Sequence, residues 1–223
     1  VLWPHAASFG PDFRAMLTHL TFAPSSWTLD VGTGACWTTR LLAEKGGHVA
    51  ALDVVETPFN GLRTADILFK AHNVYFERVF ESMTKLPFRD ECFDHIVFNA
   101  SFHHSPDEFE TLSECYRILK PGGVVVLLSE VIAPLSPLMR KFSGQCASKS
   151  VEEGSSHHDI SYKDFRRLLA RTKFNMRMFL PEHTRAKLKS KLKSPLGDIA
   201  INLVESSQTL TKLLSTTFIL LTK

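Results

Sequence analysis

The sequence predicts an α/β fold: a doubly wound, mostly parallel, seven-stranded sheet with helices on both faces and a last strand running antiparallel. Three observations predict it. Short apolar runs alternate with amphipathic helical stretches five times over, the pattern of a parallel sheet covered by its crossover helices. The run at 124–128, Val-Val-Val-Leu-Leu, is wholly apolar, as a strand buried on both faces must be. The length of 223 residues, with 44% hydrophobic and 22% charged side chains, suits one globular unit and argues against disordered or fibrous chains. The right-handed crossover rule then sets the winding.

The elements follow in order. Residues 11–20 read as a helix and 27–31 as a buried strand. A helix at 35–45 is stopped by Gly46-Gly47, and 48–53 is a second strand. Thr57-Pro58 opens a helix to about residue 71, and 74–80 is the third strand. The fourth strand is 94–99. Ser105-Pro106-Asp107-Glu108 offers a cap, a first-turn proline and a Glu three residues after the cap. Phe109, Leu112, Tyr116 and Leu119 then share one helical face, and Pro121-Gly122-Gly123 ends the helix. After strand 124–128 come a helix at 161–172 capped by Ser161 and two final strands at 174–180 and 216–221. The whole of 1–223 reads as one domain with a core at about 27–130. Segments 131–160 and 181–214 are elaborations on it, the former a possible lid.

Charge narrows the partners. The net charge is +3, and residues 181–195 alone carry +4 through Arg185, Lys187, Lys189, Lys191 and Lys193 against Glu182. The rest is near neutral, so the chain is not a basic nucleic-acid binder throughout. The lysine segment is either a solvated helix face or an attractor of an acidic substrate, an anionic lipid surface or RNA. No aromatic side chains interleave with it, so a base-stacking platform is not indicated. No stretch free of charge and histidine approaches the ~18 apolar residues of a spanning helix. Cys36, Cys92, Cys115 and Cys146 include no C-x-x-C pair, and residues 1–5 show no charged leader pattern. Reduced thiols and a cytoplasmic location are the expectation.

The chemical signal is Leu29-Asp30-Val31-Gly32-Thr33-Gly34-Ala35-Cys36, placed between a strand and a helix. Glycines let the backbone turn tightly against a ligand, and the helix start offers free N–H groups. Asp53 ends the next strand 19 residues after Gly34, where a carboxylate can accept both hydroxyls of a ribose. Trp37 stands where a dinucleotide loop needs its third glycine. Asp30, two residues before Gly32, repels phosphate and suits a cation. The loop therefore favours a cationic adenosyl compound over a dinucleotide.

Four ordered blocks resemble the class I S-adenosylmethionine-dependent methyltransferases, in particular the small-domain type 11 group, across about 27–130. They are Asp30–Gly34, Leu52-Asp53, Lys85-Leu86-Pro87-Phe88 with Cys92-Phe93-Asp94, and Leu119-Lys120-Pro121-Gly122-Gly123. The family's loop commonly has a third glycine where this chain has Cys36. The resemblance implies a Rossmann-like sheet and S-adenosyl-L-methionine as cofactor. It implies that Asp30, Gly32 and Gly34 surround the methionine part and that Asp53 holds the ribose. It places Ser82 and Met83 at the adenine, with Glu81 adjoining, and Asn99 near the reacting methyl.

The implied reaction is in-line transfer of the methyl to a small-molecule, lipid or sugar acceptor. Such a displacement needs little activation beyond alignment and exclusion of water, and a base only where the acceptor carries a proton. His103 and His104, after the fourth strand, are the base candidates, although either can serve only to bond the loop or the helix start. His157 and His158 add no ligand pattern for a metal, so none is assigned. Asn99-Ala100-Ser101-Phe102 lacks the proline turn that clamps a planar amide, so methylation of exocyclic amines in nucleic acid is disfavoured. Two other readings stay open: a methyltransferase fold that binds without turnover, and an RNA or protein methyltransferase docking through 185–193.

Overall fold

The computed structural model describes residues 6–130, 132–133, 160–193, 195–214 and 218–223. Seven strands form the main sheet: β1 (Trp27–Val31), β2 (His48–Asp53), β3 (Glu77–Phe80), β4 (Phe93–Asn99), β5 (Leu119–Leu128), β8 (Asn175–Met178) and β9 (Phe218–Thr222). Their order is β3-β2-β1-β4-β5-β9-β8. Strands β1 to β5 pair in parallel, and β9 runs antiparallel to both β5 and β8. This is the doubly wound sheet expected, with the last strand reversed. Two short strands, β6 (Ile132–Ala133) and β7 (Ile160–Ser161), pair apart from it.

Side-chain alternation divides the core. Leu29, Val31, Leu52, Ile96, Phe98, Val125, Leu127 and Ile219 point to one face, where they meet α4 (Glu108–Ile118) and α5 (Tyr162–Arg171) through Leu112, Ile118 and Phe165. Val49, Ala51, Val97, Val126, Leu128 and Phe218 point to the other. There they meet α1 (Ala6–Leu17), α2 (Trp37–Ala43) and α3 (Ala65–His72) through Phe13, Met16, Leu42 and Ala65. Beyond β8 the chain forms α6 (Glu182–Leu192), α7 (Leu196–Glu205) and α8 (Gln208–Leu214) before returning as β9.

Several boundaries differ from expectation. The first helix starts at Ala6 and carries Pro11 inside it. No helix begins at Thr57-Pro58. Phe59 turns left-handed at φ 73°, and regular helix starts only at Ala65, after a 3₁₀ turn at Leu62–Thr64. The cap of α4 is Asp107, whose Oδ1 accepts the Glu110 N–H at 2.9 Å, while Ser105 bonds Thr111 at 2.7 Å. That helix ends at Ile118, so Pro121-Gly122-Gly123 belongs to β5, at an irregularity between the pairs Phe93–Leu119 and His95–Val124. Of the possible lid at 131–160, residues 131 and 134–159, with Cys146, His157 and His158, lie outside the described residues.

Candidate active site

In a parallel sheet the loops after the strands share the carboxyl edge, and ligands sit where the strand order reverses. Here that point lies between β1 and β4. Gly32 follows β1 at φ 68°, and a Cβ there would sit 2.5 Å from the Ser101 Cβ in the loop after β4. Only glycine meets both conditions. Gly34 is also left-handed, at φ 49°, but opens onto space, its nearest neighbour being the Asn60 side chain at 3.9 Å. One side of the bend is closed by protein and the other is open.

Asp53 and the bend are joined directly. The Gly34 N–H donates to Asp53 Oδ2 at 2.7 Å, and the Val55 N–H donates to Oδ1 at 2.9 Å. Asp53 thus stands beside Gly34, as the spacing predicts. Next to it an open depression of about 450 Å³ is lined by Val54, Val55, Glu56, Thr57, Pro58, Arg63 and Phe80. Phe80 is the register partner of Asp53 across β2 and β3, so the depression sits at the same edge.

Asp30 lies beneath the bend, 1% exposed, and its Oδ2 accepts the hydroxyls of Thr38 at 2.8 Å and Thr39 at 2.6 Å. Burial raises its pKa to about 6, against the pull of those two donors. Asp30 fastens the start of α2 and places a carboxylate under the loop without reaching the surface. Cys36 occupies the third-glycine position at φ 55°, which explains why glycine suits it. Its thiol is buried, packs against Thr33 at 3.5 Å, and is pushed up to about 12 by burial. It is inert.

Ser82 is half-buried after β3 and bonds the Thr84 hydroxyl at 2.9 Å, with the Glu81 carboxylate accepting its N–H at 2.8 Å. Met83 packs on the core, with part of its side chain exposed. Asn99 ends β4, and its Oδ1 is buried without a hydrogen-bond partner. A buried amide oxygen is rarely left without a donor.

The sequence reading overlooks the group that organises this edge. Glu130, 1% exposed just beyond β5, accepts the N–H groups of Ser101 and Phe102 on Oε1, both at 3.0 Å. Its Oε2 takes the His103 N–H at 3.1 Å and His103 Nδ1 at 2.8 Å. Ser101 in turn donates its hydroxyl to the Val31 carbonyl at 2.6 Å. One carboxylate therefore ties the ends of β1, β4 and β5 together and orients His103. Ala100 and Ser129 flank it at φ 55° and 58°, strained for residues with a Cβ. His103 is buried, whereas His104 is exposed and lies against it with the rings tilted, 4.2 Å between ring centres. The available signal for Glu130 was a carboxylate directly after the most apolar strand, an expensive place for an unpartnered charge.

Residues 29–127 match the family model described as a methyltransferase domain. Over that stretch, the core of the sheet, the chain is similar to a methyltransferase domain. That domain family uses S-adenosylmethionine. Among curated relatives, a demethylmenaquinone methyltransferase from Lysinibacillus sphaericus is 30% identical over 112 residues, covering 50% of this chain and 47% of the relative. One from Listeria monocytogenes is 37% identical over 98 residues, covering 43% and 40%. The chain thus spans less than half the length of these relatives. Among solved structures, the YcgJ protein from Bacillus subtilis superposes with a TM-score of 0.66 at 16% identity, covering 95% of this chain and 97% of that one. Geranyl diphosphate C-methyltransferase from Streptomyces coelicolor, solved with S-adenosyl-L-homocysteine, superposes at 0.58 and 16% identity, covering 96% and 76%. These likenesses show the fold alone, and they extend it well beyond residues 29–127.

Proposed function

We propose that the chain moves a methyl group from S-adenosylmethionine to a small-molecule acceptor, with His103 taking the acceptor's proton and Glu130 orienting His103. The observation that carries this reading is the Glu130 carboxylate, which joins the His103 ring to the strand that leads into the glycine bend.

The residues present fit the cofactor. The bend has an open side at Gly34, Asp53 stands next to it, and Asn99 Oδ1 lacks a donor. A depression of about 450 Å³ walled by Val54, Val55, Pro58 and Phe80 is large enough for a flat ring. Asp53 would hold the ribose hydroxyls, Ser82 and Met83 would border the adenine, and Asn99 would accept from the amino acid end. The buried charge of Asp30 favours a cation above it.

When bound, the cofactor supplies a methyl carbon on a cationic sulfur. That carbon would be open to in-line displacement by the acceptor's electron pair, the carbon–sulfur electrons remaining with sulfur. With Nδ1–H donating to Glu130, the basic atom of His103 is Nε2, and it receives the acceptor's proton. The curated relatives are named for demethylmenaquinone, which supports a small organic acceptor for this chain as well.

Calorimetry with S-adenosylhomocysteine tests the first half. Binding in the micromolar range is expected, weakened about tenfold or more by Asp53→Ala; absence of binding at millimolar ligand sinks the proposal. Turnover of labelled cofactor over a panel of hydroxylated aromatic and isoprenoid acceptors tests the second. His103→Gln should lower kcat by roughly 10²-fold or more with cofactor affinity retained, and His104→Gln should change it little. Equal turnover by His103→Gln removes the base assignment.

A further inference from the structure

Helix α7 is apolar on two sides. Gly197, Ile201 and Val204 face inward, where Ile201 and Val204 pack with Leu180. Leu196, Ile199 and Leu203, spaced i, i+3, i+7, form a second stripe that is 62%, 60% and 62% exposed, and Leu192 at the end of α6 extends it at 43%. A helix with an apolar stripe turned to water lacks the partner that the stripe fits.

The charge beside the stripe says which partner. Lys187, Lys189, Lys191 and Lys193 are all exposed on and just after α6. The two helices touch closely: a Cβ on Gly197 would lie 2.9 Å from the Lys189 Cα, and Lys189 pairs with Asp198 at 2.8 Å. Glu182 and Glu205 are both engaged by Arg185. Lys189 and Lys193 stand on the side of α6 next to the ridge, Lys187 and Lys191 project from another side, and the nearby acids are drawn into pairs. Its place matters too. Strand β8 runs parallel to β5, so α6 to α8 leave and rejoin the sheet at the carboxyl edge, the edge of the glycine bend and Glu130.

We infer that the outer surface of α6 and α7 docks the protein on an anionic lipid bilayer, with Leu196, Ile199 and Leu203 entering the interface and the lysines meeting the headgroups. Aliphatic side chains beside lysines fit the boundary between acyl chains and negative headgroups. A second copy of the chain fits poorly: one short helix offers less than the ~800 Å² per partner of a stable interface, and pairing would bring two lysine-rich helices together. RNA fits poorly because neither helix carries Phe, Tyr or Trp for stacking. The inference does not depend on which acceptor is methylated.

Sedimentation of the full chain with vesicles tests it. Binding to vesicles of equal parts phosphatidylglycerol and phosphatidylcholine should exceed binding to pure phosphatidylcholine by about tenfold or more and should fall with added salt. Ile199→Ser with Leu203→Ser should weaken it about tenfold. Lys187→Glu with Lys193→Glu should weaken it by at least roughly fivefold per charge. Both double variants should keep the wild-type affinity for S-adenosylhomocysteine, which shows that they are folded. Should the serine pair disturb folding, Leu203→Trp replaces it, and quenching by brominated phosphatidylglycerol is expected. Wild-type binding by either double variant, or no preference for anionic vesicles, overturns the inference. So does a dimer lost with the serine pair, or RNA retention lost with the glutamate pair, when vesicle binding is absent.

Discussion

At the scale of single residues, two buried carboxylates divide the work of the carboxyl edge. Glu130 is satisfied on both oxygens by three backbone N–H groups and one imidazole. Removing it strands those donors, so Glu130→Ala should cost about 3 kcal/mol or more, read as a lowered midpoint in urea. Glu130→Gln keeps the shape but not the charge. It should retain most of the stability and shift the pH profile of kcat, an outcome that a purely structural role would not produce. Asp30 behaves differently, because burial raises its pKa to about 6. The folded state then holds that proton more tightly than the unfolded chain, whose Asp titrates near ~3.9. Stability from this group is fully present below about pH 4 and is lost as pH rises through about 6. At neutral pH Asp30→Asn should therefore raise the stability by up to about 3 kcal/mol, read as a higher urea midpoint, since an amide oxygen can still accept from Thr38 and Thr39. The same change should weaken S-adenosylmethionine more than the uncharged homocysteine product. Equal weakening of both would mean that the Asp30 charge does not reach the sulfur.

At the scale of elements, the Leu86-Pro87-Phe88 block owes its shape to helix α4. Arg117 donates to the carbonyls of Leu86 at 3.0 Å and Phe88 at 2.8 Å, to Asp90 at 2.8 Å, and through two nitrogens to Glu114 at 2.8 Å. Glu114 in turn accepts the Leu86 N–H at 2.9 Å. The fork of a guanidinium makes this set possible, and an ammonium cannot reproduce it. Arg117→Lys should cost about 2 kcal/mol and loosen the 82–90 loop, detectable as faster amide exchange there while β5 stays protected. The same interplay shows why some boundaries escaped the sequence. Thr57-Pro58 is a sound helix start locally, yet the turn through Phe59 delays the helix. Ser105 and Asp107 are both good caps, and the Thr111 hydroxyl, which engages Ser105, leaves capping to Asp107. Local chemistry announces that an element begins, and distant partners choose the residue.

At the scale of the whole molecule, the glycine bend, Asp53 and the order of strands were legible because each depends on a short motif plus period-two burial. Glu130 was not, because its meaning rests on a loop 27 to 29 residues earlier in the chain. Nor was the outward stripe of α7, since three apolar residues at helical spacing look the same whether they face a core or water. The division of labour between the two surfaces at the carboxyl edge yields a prediction for the molecule as a unit. Ligand that binds only the folded state adds about 2.7 kcal/mol at 100 times its Kd, which in a chain of this size raises the Tm by roughly 5–10 °C. Amide exchange should show where that energy enters. With S-adenosylhomocysteine bound, protection should rise at 32–36, 53–61, 82–86 and 99–104, and not at 185–203. With anionic vesicles present the pattern should invert, protecting 185–203 first. Cofactor protection confined to α6 and α7 would move the binding site away from the glycine bend. Gly32→Ala supplies the control: its Cβ would press on Ser101 and strain the backbone at φ 68°, so the Tm gain with ligand should vanish while vesicle binding persists.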